Sequence, residues 1–153
     1  MERMKTYQRV NNLAGWITFA SALSVYILTL QPTSSFWDCG EFIASAFRLQ
    51  VGHQPGAPLF MMIGRIFTFL AADPQQVAFW VNFLSALASA LTVMFLFWTI
   101  TALGLRLVGS KEPLPSSRIA LIMGAGITGA LAYAFCDSFW FSAVEAEVYA
   151  LSS

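Results

Sequence analysis

The sequence predicts an all-α membrane protein, with three transmembrane helices and, in the first outer loop, interfacial amphipathic helices. Three observations lead there. Hydrophobic residues make up 58% of the 153-residue chain and charged residues 10%, far from the roughly 25% charged of a soluble domain. Apolar runs at about 13–30, 77–105 and 119–136 each reach the ~18 or more residues needed to cross a hydrocarbon core of ~30 Å. Lys and Arg gather at alternate ends of these runs, the asymmetry that orients a membrane protein. Residues 1–153 thus read as one transmembrane module.

The first run, 13–30, follows Arg3, Lys5 and Arg9 and reads as a retained signal anchor with its N-terminus inside. A cleaved leader needs small residues at its cleavage site, whereas Leu30 is followed by Gln31-Pro32-Thr33-Ser34-Ser35. The outer loop, 31–76, is too apolar for disorder and long enough to call for a function. Helices are expected within it at about 37–50 and 57–72. The second is apolar but short, and Arg65 near its middle would cost ~2.5 kcal/mol or more at the bilayer centre. Met61, Arg65, Thr68 and Ala72 recur at helical spacing opposite Leu59, Phe60, Ile63, Phe67 and Leu70, so this helix is expected to lie in the interface plane.

The second run returns inward and ends at a short basic turn. Six of the eight basic residues (Arg3, Lys5, Arg9, Arg106, Lys111 and Arg118) then lie inside, while six of the eight acids (Asp38, Glu41, Asp73, Asp137, Glu145 and Glu147) lie outside. The third run carries Gly124, Gly126, Gly129 and Ala130. Its Gly126-to-Ala130 step lets another helix approach closely, which is ordinary helix packing. The chain stops as an apolar helix begins, and so reads as the N-terminal portion of a longer protein whose remaining transmembrane helices are its partners, along with the lipid bilayer.

The lack of a basic patch interleaved with aromatics on a soluble face argues against nucleic acid as a partner, a point on which the net charge of zero says nothing. Cys39 and Cys136 both fall on the outer side, where they either pair or remain two small buried thiols. No Cys/His spacing points to zinc.

Three outer stretches carry groups able to do chemistry. In Ser35-Phe36-Trp37-Asp38-Cys39-Gly40-Glu41-Phe42, a helix starting near Trp37 sets Asp38 and Glu41 three residues apart on one face, suited to a general base or a cation ligand. The structural alternative is a capping-box-like pair of Ser35 and Asp38. Gly52-His53-Gln54-Pro55-Gly56-Ala57-Pro58 is a rigid turn holding the sole histidine, either an acid/base or phosphate group or a hydrogen-bonded turn residue. Ser142-Ala143-Val144-Glu145-Ala146-Glu147 again fits a capping box from Ser142 to Glu145, and Glu147 stands outside that explanation. The acids could converge on one cation or sugar-phosphate, with Arg48 or Arg65 on the phosphate.

These residues carry a family likeness. Thr33 to Ala44, Gly52 to Phe60 and Ala146 to Leu151 make the chain resemble multi-span glycosyltransferases of the GT-C fold, and specifically a bacterial membrane family similar to protein O-mannosyltransferases. The resemblance implies a catalytic acid just after span one, here Asp38 with Glu41 beside it, and membrane-lying helices behind it. It implies a paired-acid motif after span three, here Glu145 and Glu147, both Glu, as an optional divalent-cation site. It implies a donor sugar on a polyprenyl phosphate and a hydroxyl or amide acceptor in an outer compartment. The reading built on it is an inverting transfer of a mannose-like sugar to a protein hydroxyl, with Arg48, His53 and Arg65 as candidates on the donor phosphate and no cofactor required by the base mechanism. The setting implied is the bacterial inner membrane, N-terminus cytoplasmic and active face periplasmic. A transporter component is the leading rival reading and a non-enzymatic assembly subunit the second. Ionisable residues on transport paths tend to lie within the spans rather than at their outer ends.

Overall fold

A computed structural model describes residues 2–54, 56–108 and 115–152 of the chain. Among them there are helices and no strands. They run α1 (Glu2–Leu28), α2 (Cys39–Arg48), α3 (Pro58–Thr68), α4 (Val77–Val108, entered through a single 3-10 turn at Pro74–Gln76), α5 (Ser116–Ala134), α6 (Asp137–Val144) and α7 (Tyr149–Ser152). Pro55, Lys111 and Ser153, with the basic turn around Lys111, lie outside the described residues.

Two helical stretches, Pro74–Val108 and Ser116–Ala134, are long and apolar enough to cross a membrane. α1 holds most of the first expected span but is not one of the two. Its residues before Leu13 are largely polar, and the helix ends at Leu28 rather than at Leu30. The third expected run breaks at Ala134, and Asp137 opens a new short helix, as an acid in a first turn favours.

The chain forms two compact units, and the division falls within α1 and within α4. One unit comprises the chain up to Ala22 with 90–136. Here Tyr7 Oη donates to the Thr101 carbonyl at 3.2 Å and Trp98 Nε1 to the Asn11 carbonyl at 3.3 Å. Gly126 lies against α4 so closely that an added Cβ would stand 2.7 Å from Thr101 Cγ2 and 2.9 Å from Phe97 Cε2. The expected small-residue step on α5 is therefore a helix-packing contact.

The other unit comprises Leu23–Ser89 with the chain from Asp137 onward. Its core joins Cys39, Phe42, Ile43 and Ala46 of α2, Phe60 and Met61 of α3, Val77, Val81 and Leu84 of α4, and Ala146. α2 and α3 pack where Gly64 meets the Ala46 methyl, 2.9 Å from where a Cβ would stand. The faces of α3 differ from the expected ones. Met61 and Thr68, placed on the polar side by the sequence, are buried with Phe60 and Gly64, while Leu59, Met62, Ile66 and Phe69 are exposed. The face that packs carries small Gly64, which admits the close approach of Ala46.

Candidate active site at the start of α2

α2 begins at Cys39, two residues later than expected. Trp37 takes a left-handed backbone (φ 63), a conformation costly for a bulky residue. Asp38 follows as the N-cap, its carbonyl accepting the Phe42 N–H at 2.9 Å. The i, i+3 spacing then does what the sequence implied and sets Asp38 and Glu41 on one exposed face.

His53 joins them. At the other end of α2, Leu49 turns the chain in a left-handed conformation (φ 51) and the Gln50 N–H returns to the Ser45 carbonyl at 2.9 Å, in the manner of an αL helix end. The loop thus doubles back along α2 to a turn closed by the Gly56 N–H on the His53 carbonyl at 2.7 Å. Glu41 Oε1 accepts the His53 backbone N–H at 2.7 Å, and Glu41 Oε2 lies 2.9 Å from His53 Nδ1. The opposite ring nitrogen, Nε2, stands 3.6 Å from Asp38 Oδ2, a charge contact longer than a hydrogen bond. All three side chains are solvent-accessible.

The electrostatics follow from this clamp. The hydrogen bond to Glu41, then the Glu41 charge and more weakly Asp38, raise the His53 pKa above the usual histidine value. The His53 backbone N–H and then its ring hold the Glu41 carboxyl below the usual carboxylate value. Glu41 fixes the imidazole so that Nε2 faces Asp38. Among the described residues, Asp38, Glu41 and His53 also form a group whose ligand atoms lie within 4.8 Å of one another, an oxygen and imidazole set that suits a divalent cation.

The second acidic stretch reaches the same region by a different route from the one its sequence suggested. α6 ends at Val144, so Glu145 follows the helix and Ser142 lies inside it, its hydroxyl donating to the Ser138 carbonyl at 3.2 Å. The expected capping box from Ser142 to Glu145 is therefore not formed. Nor is the pair of Ser35 and Asp38: Asp38 is itself the N-cap, without a side-chain cap bond, and the Ser35 hydroxyl donates to Glu145 Oε2 instead. Glu147 is half-buried. Burial first, and then the charges of Glu145 and Asp38, push its carboxyl above the usual value.

The basic residues are not gathered in one place. Arg48 is exposed in the last turn of α2, about 15 Å along a ten-residue helix from its start. Arg65 of α3 is at that end too. It donates to the Phe47 carbonyl and to Thr68 Oγ1 (3.5 Å), with its guanidinium 5.4 Å from the Phe47 ring centroid and 4.7 Å from that of Phe69. Of the three basic residues, His53 alone stands beside Asp38. Both cysteines are free thiols, Cys39 buried and Cys136 exposed.

Sequence reasoning missed Asn82 and Ser85, two wholly buried polar residues of α4. Asn82 bonds the Gln31 and Thr33 carbonyls (2.7 and 3.1 Å) and takes the Cys39 thiol at 3.8 Å. The Ser85 hydroxyl accepts the Glu147 N–H at 3.3 Å and donates to the Glu147 carbonyl at 3.4 Å. The available signal was two polar residues one turn apart within an apolar helix, where such groups are expensive.

Residues 38–153 match the family described as the protein O-mannosyl-transferase TMEM260 N-terminal domain, so the match opens at Asp38. Protein O-mannosyl-transferase TMEM260 of Mus musculus is 33% identical over 135 residues, covering 88% of this chain and 17% of that protein. The corresponding protein of Dictyostelium discoideum is 32% identical over 85 residues, covering 55% of this chain and 10% of its own length. The chain thus spans a sixth or less of these relatives. No solved structure matches it. With that coverage by the family and that identity to its members, the chain belongs to the TMEM260 protein O-mannosyl-transferase N-terminal domain family.

Proposed function

We propose that this chain is the N-terminal module of an inverting, GT-C-type glycosyltransferase that moves a mannose-like sugar from a polyprenyl phosphate to a protein hydroxyl. The observation that carries the reading is Asp38, an exposed N-cap carboxylate beside a histidine oriented by Glu41, at the first residue of the family match. The names of the mouse and amoeba relatives supply the reaction class.

In this reading Asp38 Oδ takes the proton of the acceptor hydroxyl as its oxygen attacks the anomeric carbon. The bond from that carbon to the phosphate oxygen breaks with inversion, and polyprenyl phosphate leaves with the bonding pair. The phosphate is a good leaving group, so the protein supplies position and charge neutralisation. His53, when protonated, is the cation near enough to Asp38 for that, with Arg48 and Arg65 at the far end of α2 as contacts for other parts of the donor. Glu41 orients His53. A divalent cation, where used, would be held by Asp38, Glu41 and His53 or by the Glu145 and Glu147 pair.

The membrane arrangement belongs to the same proposal. Spans run through 13–30 of the α1 region, α4 and α5, with the N-terminus and Arg106 inside and α2 and α3 on the outer face. The exposed apolar row Leu59, Met62, Ile66 and Phe69 on α3, with Phe36 and Trp37 beside Asp38, supports contact with the bilayer interface. By resemblance the membrane is the bacterial inner membrane and the outer side its periplasm.

The test is Asp38→Asn in the full-length protein, assayed for transfer from polyprenyl-phosphate mannose to an acceptor protein. Asp38 makes no side-chain cap bond and Asn is near-isosteric with it, so expression and melting temperature should hold while transfer falls by about 10²-fold or more, the contribution of a positioned base. Full transfer by the variant would end the assignment.

A further inference from the structure

Residues 31–38, between α1 and α2, form no helix, so their conformation is decided by what their backbone groups bond to. The Gln31 N–H donates to the Val144 carbonyl at 3.1 Å. The carbonyls of Gln31 and Thr33 both accept from Asn82 Nδ2, at 2.7 and 3.1 Å, and Asn82 Oδ1 takes the thiol of Cys39 at 3.8 Å. Asn82 is 0% exposed. Its two N–H groups and its oxygen are all used, as a buried amide requires, and all on the stretch that brackets Asp38 from both sides. A hydroxyl at this position would have one hydrogen to offer two carbonyls.

We propose that Asn82 is a positioning residue for the transfer reaction: it fixes the chain on either side of Asp38 and so sets where that carboxylate stands relative to His53. The inference rests on Asp38 being the base. Asn82 touches neither substrate nor reacting atom; it acts through the Gln31 and Thr33 carbonyls and the Cys39 side chain, and Cys39 is the contact it can be tested through. The Cys39 thiol is the hydrogen-bond donor adjacent to Asp38, and the carbonyl bonds hold the non-helical stretch that leads into it.

The experiment uses the full-length protein with polyprenyl-phosphate mannose and separates kcat from KM. A misplacement of ~1 Å at a reacting group costs about 10²-fold in rate. Asn82→Ala should therefore lower kcat by about 10- to 100-fold while KM for the donor stays within about twofold. Because that variant also unpairs buried carbonyls and can fail to fold, a second pair of variants decides independently. Cys39→Ala leaves Asn82 Oδ1 without its donor, and Cys39→Ser restores one. kcat should fall roughly 3- to 10-fold in the first and return to within about twofold of the parent in the second. Equal kcat in Cys39→Ala and Cys39→Ser, or an unchanged kcat in folded Asn82→Ala, overturns the inference. Asp38→Asn run alongside keeps the two readings apart. If it transfers normally, the base assignment itself is lost. If it is inactive while the Asn82 and Cys39 variants keep the parental kcat, the positioning role alone is lost.

Discussion

The bond from Ser35 to Glu145 ties two segments 110 residues apart in sequence, and its removal gives a measurable cost. The acceptor is a carboxylate and both residues are half-buried. A hydrogen bond to a charged group contributes ~1.5–3 kcal/mol, and partial solvent access puts this one at the low end, about 1.5 kcal/mol. For a folding unit of 150–250 residues ~1 kcal/mol moves the melting temperature by roughly 2–4 °C, so in the 153-residue chain Ser35→Ala should lower it by about 3–6 °C. Glu145→Ala should cost a similar amount, and the double variant little more than either, giving a coupling energy of ~1.5 kcal/mol in a double-mutant cycle. Thermal unfolding of the four proteins in one detergent measures it. Ser142→Ala is the comparison, because its hydroxyl bonds back within its own helix, and it should stay within about 0.5 kcal/mol of the parent. A coupling below ~0.5 kcal/mol, or a Ser142 variant less stable than the Ser35 one, would refute a stabilising bond between Ser35 and Glu145.

Two further outcomes follow from the geometry. A Cβ on Gly126 would meet Thr101 and Phe97 at 2.7 and 2.9 Å, whereas one on Gly124 meets nothing within 4 Å. Gly126→Ala should therefore destabilise by about 1–3 kcal/mol, while Gly124→Ala stabilises by up to ~1 kcal/mol, and the reverse order of melting temperatures would contradict the helix contact. The clamp between His53 and Glu41 is pH-dependent on both sides. His53, with its pKa raised, contributes fully below the usual value of 6.5 and loses that contribution as pH rises through its folded pKa. Glu41, with its pKa lowered, contributes above the usual 4.5 and loses it as pH falls through its folded pKa. Glu41→Gln should bring the His53 titration, followed by NMR of the imidazole, down toward 6.5. An unmoved titration would show that Glu41 does not hold the proton.

Composition and apolar run length by themselves determined an all-helical chain with long apolar helices at α4 and α5, because helix periodicity and span length are properties of the local sequence. The spacing of Asp38 and Glu41 likewise fixed their shared face, since three residues is nearly one helical turn. Their meeting with His53 was not legible. It depends on Leu49 entering a left-handed conformation that folds 50–54 back along α2, and nothing in a leucine announces that. The capping patterns at Ser35 and Ser142 misled for a related reason. A hydroxyl and an acid at the right spacing form a local pair only when no better partner is near, and here the partner of Glu145 comes from 110 residues away. The faces of α3 were decided by Gly64 against Ala46, and the support of Asp38 by Asn82. Each of these is a choice between locally equivalent options that packing and hydrogen-bond satisfaction settle only once the chain has folded.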